Sequence, residues 1–250
     1  MSAIETSSMI FGCIFGGAIL GMALRSVIPE QHMDNETKEV VKLGVGLVGT
    51  MAALLLGLLV ASAKSAYDTR SSELTQMAAN AILLDRSFAH YGPEASEVRG
   101  ILKVAVSRMI AQFWPADSHE NSSIPAIGGN EILFDKLQEL APRSDAQRVI
   151  QSQAESLLVN IGQTRLLLFA QTGSSISTPF LVVVVFWLSM LFVSFGLFAP
   201  RNATAIVTLL VAAISVAGAL YLILELDHPF SGFIQISSAP LRNALAVIGK

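Results

Sequence analysis

Residues 42–60 read KLGVGLVGTMAALLLGLLV, and two incompatible folds lay claim to them. Gly44, Gly46 and Gly49 carry the G-x-G-x-x-G spacing that wraps a dinucleotide pyrophosphate where a strand passes into a helix. The same residues open an uncharged run from 43 to 63, which reaches the roughly 20 residues a helix needs to cross bilayer hydrocarbon. The phosphate fold requires a strand before the glycines and an acid about 20 residues on to take a ribose hydroxyl. No strand precedes Lys42, and on that the phosphate reading fails. The stretch is therefore read as a membrane helix whose glycines form a contact face, because small side chains let neighbouring backbones approach. The alternative is that glycine is simply common in membrane helices.

Composition extends this reading to the whole chain. Hydrophobic residues make up 52% and charged residues 14%, against about 25% charged in a soluble domain. The charges are segregated, with 22 of the 35 falling between Lys64 and Arg165. A net charge of -3 offers no basic excess to neutralise phosphates, which sets nucleic acid aside. Cys13 is the only cysteine, so the chain cannot close a disulfide or a thiolate cluster on itself.

Residues 8–24, 43–63, 180–199 and 203–224 contain no charged side chain. The last three are long enough to span a bilayer, and the first becomes so if Arg25 snorkels and the helix continues through Ser26 to Ile28. The leading MSAIETSS carries Glu5 and no Lys or Arg, unlike the positive start of a signal peptide. Pro29 is expected to end the first helix, and the polar residues 30–42 read as a connection. Pro200, Arg201 and Asn202 make a tighter turn between the last two spans. The expected fold is an all-α integral membrane protein: hairpin 1 in residues 1–63, a helical soluble insert in 64–178, hairpin 2 in 179–224, and a C-terminal interfacial turn and short helix in 225–250.

Within the insert, Leu74, Met77, Ala81, Leu84 and Phe88 recur at helical spacing, as do Val98, Ile101, Leu102, Ala105, Met109 and Phe113. A turn at Tyr91-Gly-Pro-Glu94 separates the two, with Pro93 suited to open the second helix. No breaker lies between Gly57 and His90, so the second span is expected to continue into the first insert helix. Trp114-Pro115 stops the next helix, and a polar loop follows to Asn130. Helices over 131–140 and 144–171 complete the insert, and residues 173–179 break the chain before the third span. No repeat of 20 to 50 residues is present.

Polar chemistry concentrates just past the last span, where Glu225, Asp227 and His228 cluster. Two carboxylates and an imidazole there suit a bound metal or transported cation and would respond to pH. The alternative is that Asp227 caps the following turn while Glu225 lies among headgroups. Asp117, His119 and Glu120 sit in a polar loop and read as solvated, and His32 and His90 have no partner in sequence. No nucleophile–base set can be assembled, so neither an enzyme nor a cofactor is expected. Gly12, Gly16, Gly17, Gly21, Gly44, Gly46, Gly49 and Gly57 are the candidate helix-packing residues.

The spans contain hydroxyls, among them Thr50, Ser189 and Thr208, but no side chain that ionises near neutral pH. Ion-coupled carriers and proton pumps need such a group at mid-membrane. A channel does not, because rings of apolar or hydroxyl side chains from several subunits can gate and conduct. Four spans cannot enclose a wide pore alone, so a pore requires a homo-oligomer with one helix per copy on its axis. Basic residues near the membrane ends favour the insert side by one, which places the insert in the cytoplasm of a cell whose inner membrane holds the spans.

Four stretches carry a family likeness: TMAALLLGLLVASA at 50–63 with Tyr67 and Asp68, Phe198-Ala-Pro-Arg-Asn202, Leu226-Asp-His-Pro-Phe-Ser-Gly232, and Pro240-Leu-Arg242. On these the chain resembles the bacterial DUF4239 family, described as bestrophin-like. More distantly it is similar to bestrophins, pentameric anion channels with two membrane hairpins around a helical cytosolic domain. The resemblance implies an oligomeric ion channel in a lipid bilayer. This chain lacks the run of consecutive acids that binds calcium in bestrophins, and its insert is short. The rival expectation is a non-conducting scaffold whose insert docks a soluble protein.

Overall fold

The computed structural model describes residues 3–27, 35–114, 128–170, 178–230 and 232–250, and every regular element among them is helical. In chain order these are α1 (Ala3–Leu24), α2 (Asn35–Tyr91), α3 (Ser96–Phe113), α4 (Gly128–Gln138), α5 (Asp145–Ala170), α6 (Thr178–Phe198), α7 (Ala203–Asp227) and α8 (Ala239–Val247), with a 3₁₀ turn at Pro93–Ala95 before α3. They form two compact units. One comprises Met1–Tyr67 with Ser174–Ile234, the other Asp68–Gly173 with Gln235–Lys250.

The first unit holds the apolar helices. Its core is shared by Ile14 and Ala18 of α1, Ala52 and Ala63 of α2, Val184 and Leu188 of α6, and Ala213 and Leu220 of α7. The principal neighbours of α1 are α6 and α7, so the first two spans do not pack as an isolated hairpin. Contact pairs rise together in number, Gly17 lying against Ser189 and Gly21 against Val193 and Leu197. Helices α1 and α6 therefore run parallel. Glycine makes this approach feasible: a Cβ on Gly21 would collide with the Val193 carbonyl oxygen, and one on Gly196 with the Ala18 carbonyl oxygen.

At the shared end of α1 and α6 each residue of the Phe198–Asn202 run has a task. Phe198 is the last residue of α6, Pro200 cannot continue it, and the Asn202 side chain caps α7 by accepting the Ala205 amide at 2.8 Å. Arg25 donates to the Ala199 carbonyl, while Arg201 donates to the Met22 carbonyl at 2.7 Å. Each arginine thus satisfies a carbonyl orphaned at the end of the other's helix.

The second unit is built around α3, which lies against α4 and α8, while α4 lies against α5. The residual space among Met77, Leu102, Met109, Leu133, Leu158 and Leu241 is about 10 Å³, no more than one water occupies. Two glutamines one turn apart tie α5 to its neighbours. Gln147 donates to the Tyr91 carbonyl at 2.8 Å and Gln151 to the Leu137 carbonyl at 2.9 Å. Gln147 also shares an N-terminal cap with Ser144, whose hydroxyl accepts the Gln147 amide at 3.2 Å. The buried Trp114 indole donates to the Ile236 carbonyl at 2.9 Å, which holds the C-terminal segment in this unit.

Several boundaries differ from the sequence expectation. The first helix gains its length upstream, beginning at Ala3 and ending at Leu24; residues 25–27 are a turn. Residues 35–42, expected in a connection, are helical, because no proline interrupts 35–91 and Glu36 lies in the first turn where the helix dipole favours an acid. The continuation of the second span into the insert is a single 57-residue helix. Helix α4 starts at Gly128, inside the expected loop, and α7 continues three residues beyond Leu224 to Asp227.

Candidate functional site

The last turn of α7 breaks at His228, whose amide closes on the Glu225 carbonyl at 3.1 Å. The chain then reverses so that the buried Glu225 carboxylate accepts the Phe233 amide at 2.7 Å and the Ile234 amide at 3.5 Å. Gly232 sits over that carboxylate at φ +88°, with no room for a Cβ beside Oε2. Tyr221, one turn earlier on α7, lies near enough to the same carboxylate to interact with it. Glu225 is therefore the anchor of the turn that follows the span.

The three residues expected to share a cation do not point together. Asp227 lies about 200° around the helix from Glu225 and is buried. His228 is exposed, with Nδ1 3.0 Å from the Leu224 carbonyl oxygen. Among the described residues, no three His, Cys, Asp or Glu side chains converge as metal ligands. Asp117, His119, Glu120 and His32 lie outside the described residues.

Because Glu225 acts as an acceptor for backbone amides, Glu225→Ala is expected to cost about 2 kcal/mol by stranding them. Glu225→Gln, which keeps an acceptor oxygen, should cost clearly less. Thermal unfolding of the detergent-purified protein distinguishes the two; equal losses would show that charge, not acceptance, holds the turn.

The glycines divide into two sets. Gly17 and Gly21 face α6, and Gly49 is 3.9 Å from Leu191 at the nearest approach of a Cβ. A Cβ on Gly12, Gly16, Gly44, Gly46 or Gly57 would meet nothing within 4 Å in the single chain. Residues 44, 46 and 49 lie inside α2, with no phosphate-binding loop there. On that helix Ala52, Leu59 and Ala63 are buried. Leu43, Leu47, Thr50, Leu54, Gly57 and Ala61 form the opposite stripe, and all six are exposed. Only 11% of the most apolar stretch of α2 is buried, against 22% for α1 and 28% for α6 and α7.

One bidentate ion pair escaped the sequence reading. Arg99 Nε and Nη2 donate to both oxygens of Asp85 at 2.8 and 2.9 Å. Asp85 is 1% exposed and also accepts the Gly249 amide at 3.2 Å. Donating to the Asp85 carboxylate holds the Arg99 pKa above its usual value. Elsewhere in the unit, burial lowers that of Arg165, which donates to Gln112 at 3.1 Å. The Tyr91 phenol is pushed up, chiefly by burial and further by Glu94. Asp85 and Arg99 lie seven residues either side of Gly92, and in an antiparallel helix pair residues equidistant from the turn face each other. That symmetry was available in the sequence.

Four helices long and apolar enough to cross a bilayer, together with a second unit whose regular elements among the described residues are helical, define a multi-pass membrane protein. The Bestrophin-like domain matches residues 12–241, and the chain belongs to that family. A bestrophin homologue from Klebsiella pneumoniae shares its fold at 13% identity, covering 95% of this chain and 99% of the homologue, with a TM-score of 0.67. A single-substitution variant of that homologue matches at 15% identity, covering 100% and 99%, with a TM-score of 0.69. A crystal structure described as a membrane protein matches at 13% identity, covering 97% and 100%, with a TM-score of 0.69. No curated protein matches the chain.

Proposed function

We propose that this chain is one subunit of a homo-oligomeric ion channel in the inner membrane, with α2 on the conduction axis and the helical insert in the cytoplasm. The observation that carries the reading is the exposure of α2. A helix this apolar and this little covered by its own chain requires lipid or further subunits around it. Its stripe from Leu43 to Ala61 includes one hydroxyl, Thr50, among apolar and small side chains, a composition suited to a gate that wets and dewets. Family membership supports the same reading.

Ion flux into liposomes reconstituted with the purified oligomer tests it. Leu54→Ala, on the exposed stripe, is expected to change the flux severalfold, whereas Phe186→Ala, on the exposed side of α6, should leave it unchanged. A monomer in detergent, or equal flux from both variants, would remove α2 from the axis.

The scaffold alternative draws on a different observation. An open groove of about 330 Å³ on α3 and α4 is lined by Glu97, Ile101, Val104, Arg108 and Ile132, and its apolar floor suits a protein ligand. An intact oligomer without ion flux, whose binding of one soluble protein is lost on Val104→Asp, would favour it.

A further inference from the structure

Arg25 and Arg201 do more at the end of α1 and α6 than cap helices. Each commits one N–H to a carbonyl, Arg25 to Ala199 and Arg201 to Met22. A guanidinium carries five donors, so about eight of their ten remain uncommitted among the described residues. Among the described residues, neither arginine has a carboxylate within ion-pair distance. The two charges stand at one end of the parallel pair, where Gly21 and Gly196 bring the backbones into contact.

Charge and depth together select a ligand. The C-terminal ends of two helices carry about half a negative charge each, which offsets one of the two positive charges. The N-terminus of α7 at Ala203 adds back about half a positive charge, so about one and a half positive charges are left for an anion to meet. Arg25 is the first residue after α1 and Arg201 the third after α6. Both span ends therefore lie where the hydrocarbon gives way to headgroups, a layer roughly 5–8 Å deep on each side. The anion present there at high density is the phosphodiester of a phospholipid, and the planar fork of arginine matches phosphate oxygens in pairs.

We propose that Arg25 and Arg201 together form a binding site for the phosphate group of a phospholipid headgroup, clamped across the joined ends of α1 and α6. The bound lipid would offset most of the arginine charge that the helix C-terminal ends leave uncompensated. Its occupancy would also resist separation of the two helices at the end where the Arg25–Ala199 and Arg201–Met22 bonds join them.

The test is native mass spectrometry of the delipidated full-length protein, titrated with phosphatidylglycerol and separately with inorganic phosphate. The wild type is expected to bind a first lipid tightly and inorganic phosphate weakly. R25Q/R201Q should bind the lipid about tenfold more weakly, with each single variant between. Equal lipid binding by wild type and double variant overturns the site. Preference for inorganic phosphate overturns the assignment to a lipid. Should the glutamine pair fail to assemble, R25K/R201K keeps both charges without the planar fork. It is expected to lose about threefold, and wild-type affinity in that variant overturns the proposal equally.

Discussion

An Asp85→Ala protein is expected to lose about 3 kcal/mol of stability, because it removes one partner of a buried ion pair and leaves the other charge uncompensated. The Arg99 side chain is 20% exposed and that of Asp85 2%. The stranded guanidinium therefore recovers some hydration, which places the loss at the lower end for such pairs. The Gly249 amide loses its acceptor as well, so the C-terminal segment should loosen first. Hydrogen exchange at residues 239–250 is expected to accelerate in this variant more than exchange in α5. The double variant Asp85→Ala/Arg99→Ala should recover part of the loss, because no buried charge then remains alone. Thermal unfolding of the four proteins of this cycle gives the coupling energy directly. A double variant as unstable as the sum of the two single ones would show that the pair contributes nothing as a pair.

The parts of the fold that follow from solvation were readable from the chain alone. Uncharged runs at 43–63, 180–199 and 203–224 escape water as membrane helices, and each falls within one apart from Ala199, one residue past the end of α6. The uninterrupted stretch from Gly57 to His90 had to stay helical for want of a breaker, and does so in α2. Partner choice among the spans was not readable. Gly12-x-x-x-Gly16 and Gly17-x-x-x-Gly21 have the same spacing, yet only the second faces another backbone of the chain. Its counterpart on α6 is a single glycine, Gly196, with no repeat to mark it.

Polar residues were harder to place for a related reason. Glu225, Asp227 and His228 are close in sequence, but helical geometry turns the middle residue away from the other two. The partners of Glu225 are backbone amides eight and nine residues on. The cue was Gly232, the position at which the returning chain takes a positive φ beside the carboxylate. The C-terminal segment carried no comparable cue. Its place in the unit with α3 rests on the Trp114 indole and the Asp85 carboxylate, side chains more than 100 residues earlier.

Gly196→Val is expected to be, with a substitution at Gly21, among the most disruptive in the membrane unit, costing about 3 kcal/mol or more through overpacking. The Cβ would enter the space of the Ala18 carbonyl, with the Met22 amide only 3.1 Å away. Both are backbone atoms and cannot rotate aside, so α1 and α6 must separate. Separation would also draw Arg25 from Ala199 and Arg201 from Met22, adding two orphaned carbonyls to lost packing. Gly46→Val and Gly57→Val put the same side chain on the exposed face of α2, where the single chain offers it open space. They should leave the fold of the subunit intact and act on assembly alone if copies meet along that face. Thermal unfolding paired with the mass of the detergent-solubilised particle separates these effects. Gly196→Val should lower stability whatever the particle mass, whereas Gly46→Val and Gly57→Val should change the mass of a particle whose subunits remain folded. A Gly196→Val protein as stable as the wild type would mean that the two parallel helices are not in backbone contact.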